Sequence, residues 1–161
     1  MPIHVRPARP EDFVRVASLL QDLGRPTVIG APNEPAHVAR FSEWLGHPDR
    51  YAFVAEVDEQ VIGFIDLVVV PRLNFEGPEA YVPDLIVTKS ARSKGAGAAL
   101  LQAVETVAND RGAFALTLDS ANWRTRAHAF YRREGMADAA KHFAKVLRDV
   151  GWPPPPPGEP C

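Results

Sequence analysis

The chain has 161 residues and a mass of 17.6 kDa, a size at which a polypeptide ordinarily folds around one core and needs no disulfide or metal staple. Eighteen Lys and Arg against twenty Asp and Glu leave a net charge of −2, which excludes a surface built as one electrostatic footprint for nucleic acid or anionic lipid. The lone cysteine, Cys161, excludes an internal disulfide, no apolar run approaches the ~18 residues of a membrane helix, and Met1-Pro2-Ile3-His4-Val5-Arg6 lacks the charged-then-apolar pattern of a secretory signal, so a soluble cytoplasmic protein with no membrane or nucleic-acid partner is expected.

Ile3 to Arg6 reads as a short strand closed by Pro7 and Pro10. Phe13, Val16, Leu19, Leu20 and Leu23 then recur at helical spacing until Gly24. Arg25 to Asn33, with Pro26, Gly30 and Pro32, suits an irregular loop, and Pro35 to Leu45 a second helix ended by Gly46. Tyr51 to Val57 and Val61 to Val70 are rich in β-branched and aromatic residues and flank the turn Asp58-Glu59-Gln60, which predicts an antiparallel hairpin. A further strand is expected over Tyr81 to Thr88, a helix over Ala98 to Asp110, a short buried strand over Phe114 to Leu118, a helix over Asn122 to Glu134 and a last strand over Phe143 to Leu147. A meander followed by crossover units implies an α/β (α+β) domain over 1–150, with a mixed, mostly antiparallel sheet and helices on both faces. The remaining segment, 151–161, is a proline-rich tail expected to be polyproline II or solvated.

Chemistry concentrates in one segment. The strand ending Leu85-Ile86-Val87 runs into Arg92-Ser93-Lys94-Gly95-Ala96-Gly97-Ala98, where a helix opens with small residues. Unpaired N–H groups and the positive end of the dipole at such a start favour a phosphate. From Leu85 to Val104 there are three basic residues, Lys89, Arg92 and Lys94, and no acidic one. Arg-x-x-Gly-x-Gly is expected about 0.06 times by chance in a chain of this composition, so the motif is informative. The phosphate loop Gly-x-x-x-x-Gly-Lys-Ser/Thr is absent, and Gly97 is followed by Leu100 rather than the third glycine of a dinucleotide fingerprint.

Val87 to Gly97 resembles the acetyl-CoA pyrophosphate loop of the GNAT superfamily of N-acetyltransferases. Arg126-Ala127-His128-Ala129-Phe130-Tyr131-Arg132-Arg133-Glu134-Gly135-Met136 resembles that family's helix ending in Tyr-x-x-x-Gly-Phe. Weaker matches are Arg6-Pro7-Ala8 near the start, and Val54-Ala55-Glu56 with Val61-Ile62-Gly63-Phe64 in the hairpin. The resemblance implies a sheet splayed between its fourth and fifth strands, with the pantetheine arm of the co-substrate acetyl-CoA lying in the gap. It also implies direct attack by an amine substrate on the thioester. Backbone groups of Leu85, Ile86 and Val87 would hold the pantetheine, and N–H groups from Arg92, Ser93, Lys94, Gly95, Ala96, Gly97 and Ala98 the pyrophosphate. Asn122 would pair with the arm, and Tyr131 would protonate the departing thiolate, uphill by ~2 kcal/mol at reference values. His128, three residues before Tyr131, shares its helix face and is a candidate to orient it.

The general base is less plain. Many members of the family carry a glutamate four or six residues before the motif valine, and Pro83 and Tyr81 occupy those positions here. Strand alternation sets Asp84 on the face opposite Tyr81, Pro83, Leu85 and Val87 unless Pro83 introduces a bulge, while Glu79 has the correct parity. The expectation is a base relayed by water, with Glu79 and Asp84 as candidates. Seven acidic residues and only Arg72 as a base lie between Tyr51 and Asp84, a balance that favours a cationic acceptor, and Arg25 to Asn33 with Arg72 to Gly77 are the expected pocket loops. A non-catalytic acyl-CoA sensor and a binding domain for another nucleotide are the alternatives. The five histidines show no ligand spacing, so no metal is expected. Oligomeric state is open, a homodimer being one arrangement.

Overall fold

The central hairpin organises the sheet in a computed structural model that describes residues 2–153. β2 (Arg50–Val57) and β3 (Gln60–Val70) pair along their full length, with Asp58 and Glu59 both at positive φ in the two-residue turn. β1 (His4–Pro7) adds to the outer edge of β2. On the other side β3 pairs with β4 (Glu79–Val82) and, further along, with β5 (Leu85–Val87). β6 (Ala115–Leu118) lies parallel to β4, which gives the order β1-β2-β3-β4-β6 with β5 beside β3. The result is the predicted mixed, mostly antiparallel sheet.

The apolar run of β3 is uninterrupted except at Gly63 and Asp66 because both faces are covered. Ile65 and Leu67 join Val82, Leu100 and Val104 in a core under α3 (Ala96–Asp110). Phe64 joins Val16, Leu19, Val54 and Ile86 in a second core under α1 (Phe13–Asp22), edged by Phe41 and Trp44 of α2 (Glu34–Gly46). A Cβ at Gly63 would come within 3.0 Å of Leu100 Cδ1, so the absent side chain is what lets α3 settle on β3. The start of α1 is fixed to the sheet by Arg6, which donates to both carboxylate oxygens of Asp12 at 2.9 and 3.0 Å and to Glu56 at 3.1 Å.

Several expectations are corrected. The expected strand Phe143 to Leu147 is irregular, with Phe143 and Leu147 exposed; Lys145 interrupts the face that Phe143 and Leu147 would share, and only Ala144 and Val146 remain for the other. The last helix, α4, is Thr125–Arg133 rather than starting at Asn122. α3 starts at Ala96, two residues earlier than expected. The strand expected over Tyr81 to Thr88 is broken at Pro83 and Asp84 into β4 and β5. The prolines at 154–157 and the rest of the tail to 161 lie outside the described residues.

Candidate active site

The break between β4 and β5 is a one-residue bulge. Val68 lies opposite Tyr81, but Ile65 lies opposite Leu85, so the partner numbers sum to 149 before the break and to 150 after it. Proline donates no ladder hydrogen bond and sits where a bulge spares the need for one. The shift reverses facing: Ala80 and Val82 share the α3 side with Leu85, while Tyr81 shares the opposite side with Ile86. It also opens the sheet. β4 and β6 run together as far as Val82 opposite Leu118, and β5 then pairs with β3 alone. Thr88 N–H donates to Ile62 C=O at 2.8 Å, so by antiparallel alternation Leu85 and Val87 turn their amides away from β3 and into the gap.

At the end of β5 the chain makes a short 3-10 turn, Lys89–Ala91, and reaches α3. Ser93 and Gly95 both have positive φ, 67° and 90°. Alternation of handed residues before a helix directs successive N–H groups to one side, an anion-binding nest. No side chain caps α3, and the first intrahelical bond is Ala99 N–H to Gly95 C=O at 3.0 Å, which leaves the amides of Ala96, Gly97 and Ala98 without helical partners. Space in front of Gly95 is open, whereas a Cβ on Gly97 would meet Phe130 Cζ of α4 at 3.2 Å. The two glycines therefore serve different ends: Gly95 the backbone turn, Gly97 the approach of α4. Arg92 Nε donates to Val87 C=O at 3.3 Å, and Arg126 donates to Ser93 Oγ at 2.9 Å, tying α4 to the loop.

α4 carries Tyr131, whose ring centroid lies 5.3 Å from that of Phe130. Burial raises its pKa, partly offset by the charge of Arg124, so the phenol keeps its proton at neutral pH. Arg124 donates to Leu23 C=O at 2.6 Å, and its guanidinium is held below its ordinary pKa by burial and by the neighbouring charge of Arg25, with Arg92 contributing. His128 does not orient Tyr131: its Nε2 is 2.9 Å from Ala121 C=O. Asn122 lies exposed in the turn before α4.

On the opposite face of the sheet, the bulge draws carboxylates together. Asp66 is buried at 7% exposure, accepts the Asp84 N–H at 2.7 Å and gives its own N–H to Asp84 C=O at 3.2 Å. Burial, and then the charge of Asp84, raise the Asp66 pKa well above the ordinary carboxylate value. Asp84 is itself paired with Arg25 at 2.7 Å. Asp84 and Tyr81 lie on one side of the sheet, contrary to simple alternation, and Tyr81 donates to Asp119 at 2.8 Å; burial and Asp119 together push that phenol's pKa up. Glu79 accepts from Thr117 Oγ1 at 2.7 Å and is paired with Arg72. The acidic residues between Tyr51 and Asp84 therefore do not converge: Glu56 binds Arg6, Glu79 binds Arg72, Asp84 binds Arg25, and Asp58 with Glu59 forms the turn. Beside Asp66 a cavity of about 250 Å³ lies between α1, α2 and β3. Arg25, Pro26 and Val28 of the first expected pocket loop line it, but nothing from Arg72 to Gly77 does.

Parted strands ending on an uncapped glycine-led helix have counterparts in known proteins. Residues 16–136 match the model of the acetyltransferase (GNAT) family. The chain belongs to that family. Solved structures also resemble it, each of those named here under 25% identical and so informative for fold. The structure of AAC(6')-Iy with a CoA-S-monomethyl-acetylneamine bisubstrate analogue is 18% identical with a TM-score of 0.76, covering 92% of this chain and 99% of that one. Glucosamine-6-phosphate N-acetyltransferase from Arabidopsis thaliana is 19% identical with a TM-score of 0.77, covering 92% and 100%. A transcriptional regulator from Bacillus halodurans C-125 is 20% identical with a TM-score of 0.82, covering 91% and 100%. A comparison with curated protein sequences returned no match.

Within this GNAT fold, Leu85 to Val87 lead along the sheet opening to Arg92 to Ala98, and Phe130, the neighbour of Tyr131, stands over Gly97, while Glu79 and Asp84 fall on the side of the sheet away from α3. Arg25, Asp66 and Arg124 were not singled out for the site from sequence. Asp66 carried a signal, being the only charged residue in the apolar run Val61 to Val70. Arg25 and Arg124 carried none, since each depends on a partner remote in the chain. Among the described residues no helix is long and apolar enough to cross a membrane.

Proposed function

We propose that the protein is an N-acetyltransferase that moves the acetyl group of acetyl-CoA onto a primary amine by direct attack. The observation that carries this reading is the gap between β5 and β6, which leads from the free amides of Leu85 and Val87 to the bare N-terminus of α3. The amides from Arg92 to Ala98 hold the diphosphate of the coenzyme, where the helix dipole and three basic residues favour its charge. Leu85 to Val87 lie alongside the pantetheine, and their inward N–H groups polarise the thioester carbonyl. Asn122 supplies a side-chain amide to the same arm.

The amine nitrogen attacks the carbonyl carbon, a C–N bond forms and the C–S bond breaks. Tyr131 gives its proton to the leaving sulfur, a role suited to a phenol whose burial keeps it protonated. A lysine-like amine costs ~4.6 kcal/mol to deprotonate at pH 7, and an α-amine only ~1. Asp84 takes that proton through water; Glu79, already held by Thr117 and Arg72, is the alternative site.

Thermal unfolding with acetyl-CoA, ATP and NAD tests the cofactor: a ligand at a hundred times its Kd adds about 2.7 kcal/mol, and only acetyl-CoA should do so. Thiol release with a panel of amines tests the reaction. Binding of acetyl-CoA with no turnover of any amine would make the protein an acyl-CoA sensor. A response to ATP or NAD alone would overturn the assignment.

A further inference from the structure

The cavity beside Asp66 narrows the choice of acceptor. Phe13 and Leu20 of α1, Phe41 of α2 and Phe64 of β3 are among the side chains enclosing its roughly 250 Å³. An apolar cavity of roughly 150 Å³ stays dry and takes benzene, so this one has room for a single ring and a short arm. Trp44 offers only its ring, because its Nε1–H is already spent on Tyr51 C=O at 3.0 Å. A polyhydroxylated sugar would bury hydroxyls here with few groups to receive them, and each unmet hydroxyl is costly.

One acidic group serves this space. Asp66 Oδ1 accepts the Asp84 N–H, and the Asp84 carboxyl lies close enough to add its charge to the same group. Asp66 is the one acidic residue among those lining the cavity. Its neighbour Ile65 is opposite Leu85, which sets the carboxyl one residue from the level where the strands part. The other charged lining groups are basic. Arg25 is neutralised by Asp84, while Arg40 has only His37 Nδ1 at 3.1 Å.

We propose that the acceptor is a small primary amine with an apolar, single-ring body, its ring among Phe13, Phe41 and Phe64 and its ammonium on the Asp66 carboxyl. This rests on the acetyltransferase reading given above. One carboxyl among apolar walls satisfies one ammonium. A polyamine or aminoglycoside brings several, and the surplus charges meet aromatic faces without a carboxylate, or Arg40.

The test measures thiol release from acetyl-CoA with phenethylamine and cyclohexylmethylamine against spermidine and kanamycin, alongside calorimetric binding of CoA. The ring amines should show kcat/KM at least tenfold above the polycations. Val28→Trp, which fills the cavity from a loop, and Asp66→Asn should each weaken the apparent affinity for phenethylamine tenfold or more, seen as a higher KM with CoA affinity unchanged. Arg40→Glu should narrow the gap in favour of spermidine. If Asp66→Asn fails to fold, Val28→Trp decides alone. Preference for the polycations, or full phenethylamine turnover in Val28→Trp, overturns the acceptor class and leaves the acetyltransferase reading standing. Failure of the wild-type protein to bind CoA overturns both.

Discussion

The two faces of the sheet build their halves of the site from different materials. At the gap and the start of α3, the groups that face a ligand are main-chain amides, set by a bulge, two residues at positive φ and an uncapped helix. On the α1 and α2 face they are side chains: apolar walls, one buried aspartate and arginines drawn from separate segments. A backbone site tolerates changes of side chain but not of backbone shape. A side-chain site does the reverse, which is why one coenzyme can be shared across a fold while the acceptor differs.

The largest effect should come from what supports the backbone half. Leu100 is fully buried and touches the space left by Gly63, so Leu100→Ala should cost about 3 kcal/mol in chemical denaturation. A loss under about 1 kcal/mol would mean that α3 does not depend on this contact. Next is Tyr131→Phe, which removes only the proton donor. It should lower kcat about a hundredfold while CoA affinity and the KM for the amine stay put, and an equal loss of CoA affinity would recast Tyr131 as part of the packed scaffold. Gly95→Ala is smaller. At φ 90° a Cβ costs about 1–2 kcal/mol, read as lower Tm together with weaker CoA binding. The acceptor preference should not move; if it did, the two halves would not be separable.

This contrast also explains what could be read from sequence. Gly95 and Gly97 stand two residues apart in the chain, so the anion loop and its helix were legible from local pattern. The hairpin was equally plain from Tyr51 to Val70. Facing across Pro83 was not, because the bulge is defined by pairing with β3 and reverses the side on which Asp84 falls relative to Tyr81. Seven acidic residues suggested an anionic pocket for a cationic acceptor, yet most of them are matched to arginines or spent in the turn. A lone acid in the apolar run of β3 was visible, but its partner Asp84 lies 18 positions on. The segment Phe143 to Leu147 shows the opposite failing, with apolar residues at strand spacing but Lys145 in the middle of one face.

The smallest effect sharpens the comparison through pH, because buried aspartates in the two regions respond in opposite directions. Asp12 is buried, but its bonds from Arg6 and from the Arg9 N–H overcome that burial and hold its pKa below the ordinary value. Its contribution is present above the unfolded carboxylate pKa and is lost as pH falls through the lowered native one. Asp66 faces Asp84 and, beyond it, Arg25; burial and the charge of Asp84 raise its pKa. The folded protein then binds more protons than the unfolded chain, so stability is full below the ordinary carboxylate pKa and declines as pH climbs toward the raised native value. The slope is at most about 1.4 kcal/mol per pH unit. Urea unfolding of Asp66→Asn across about pH 4 to 7 should abolish this decline, whereas Asp12→Asn should abolish the acid limb and keep it. An unchanged decline in Asp66→Asn would show that a group other than the carboxyl beside the cavity causes it, and the asymmetry between the two faces would not extend to these aspartates.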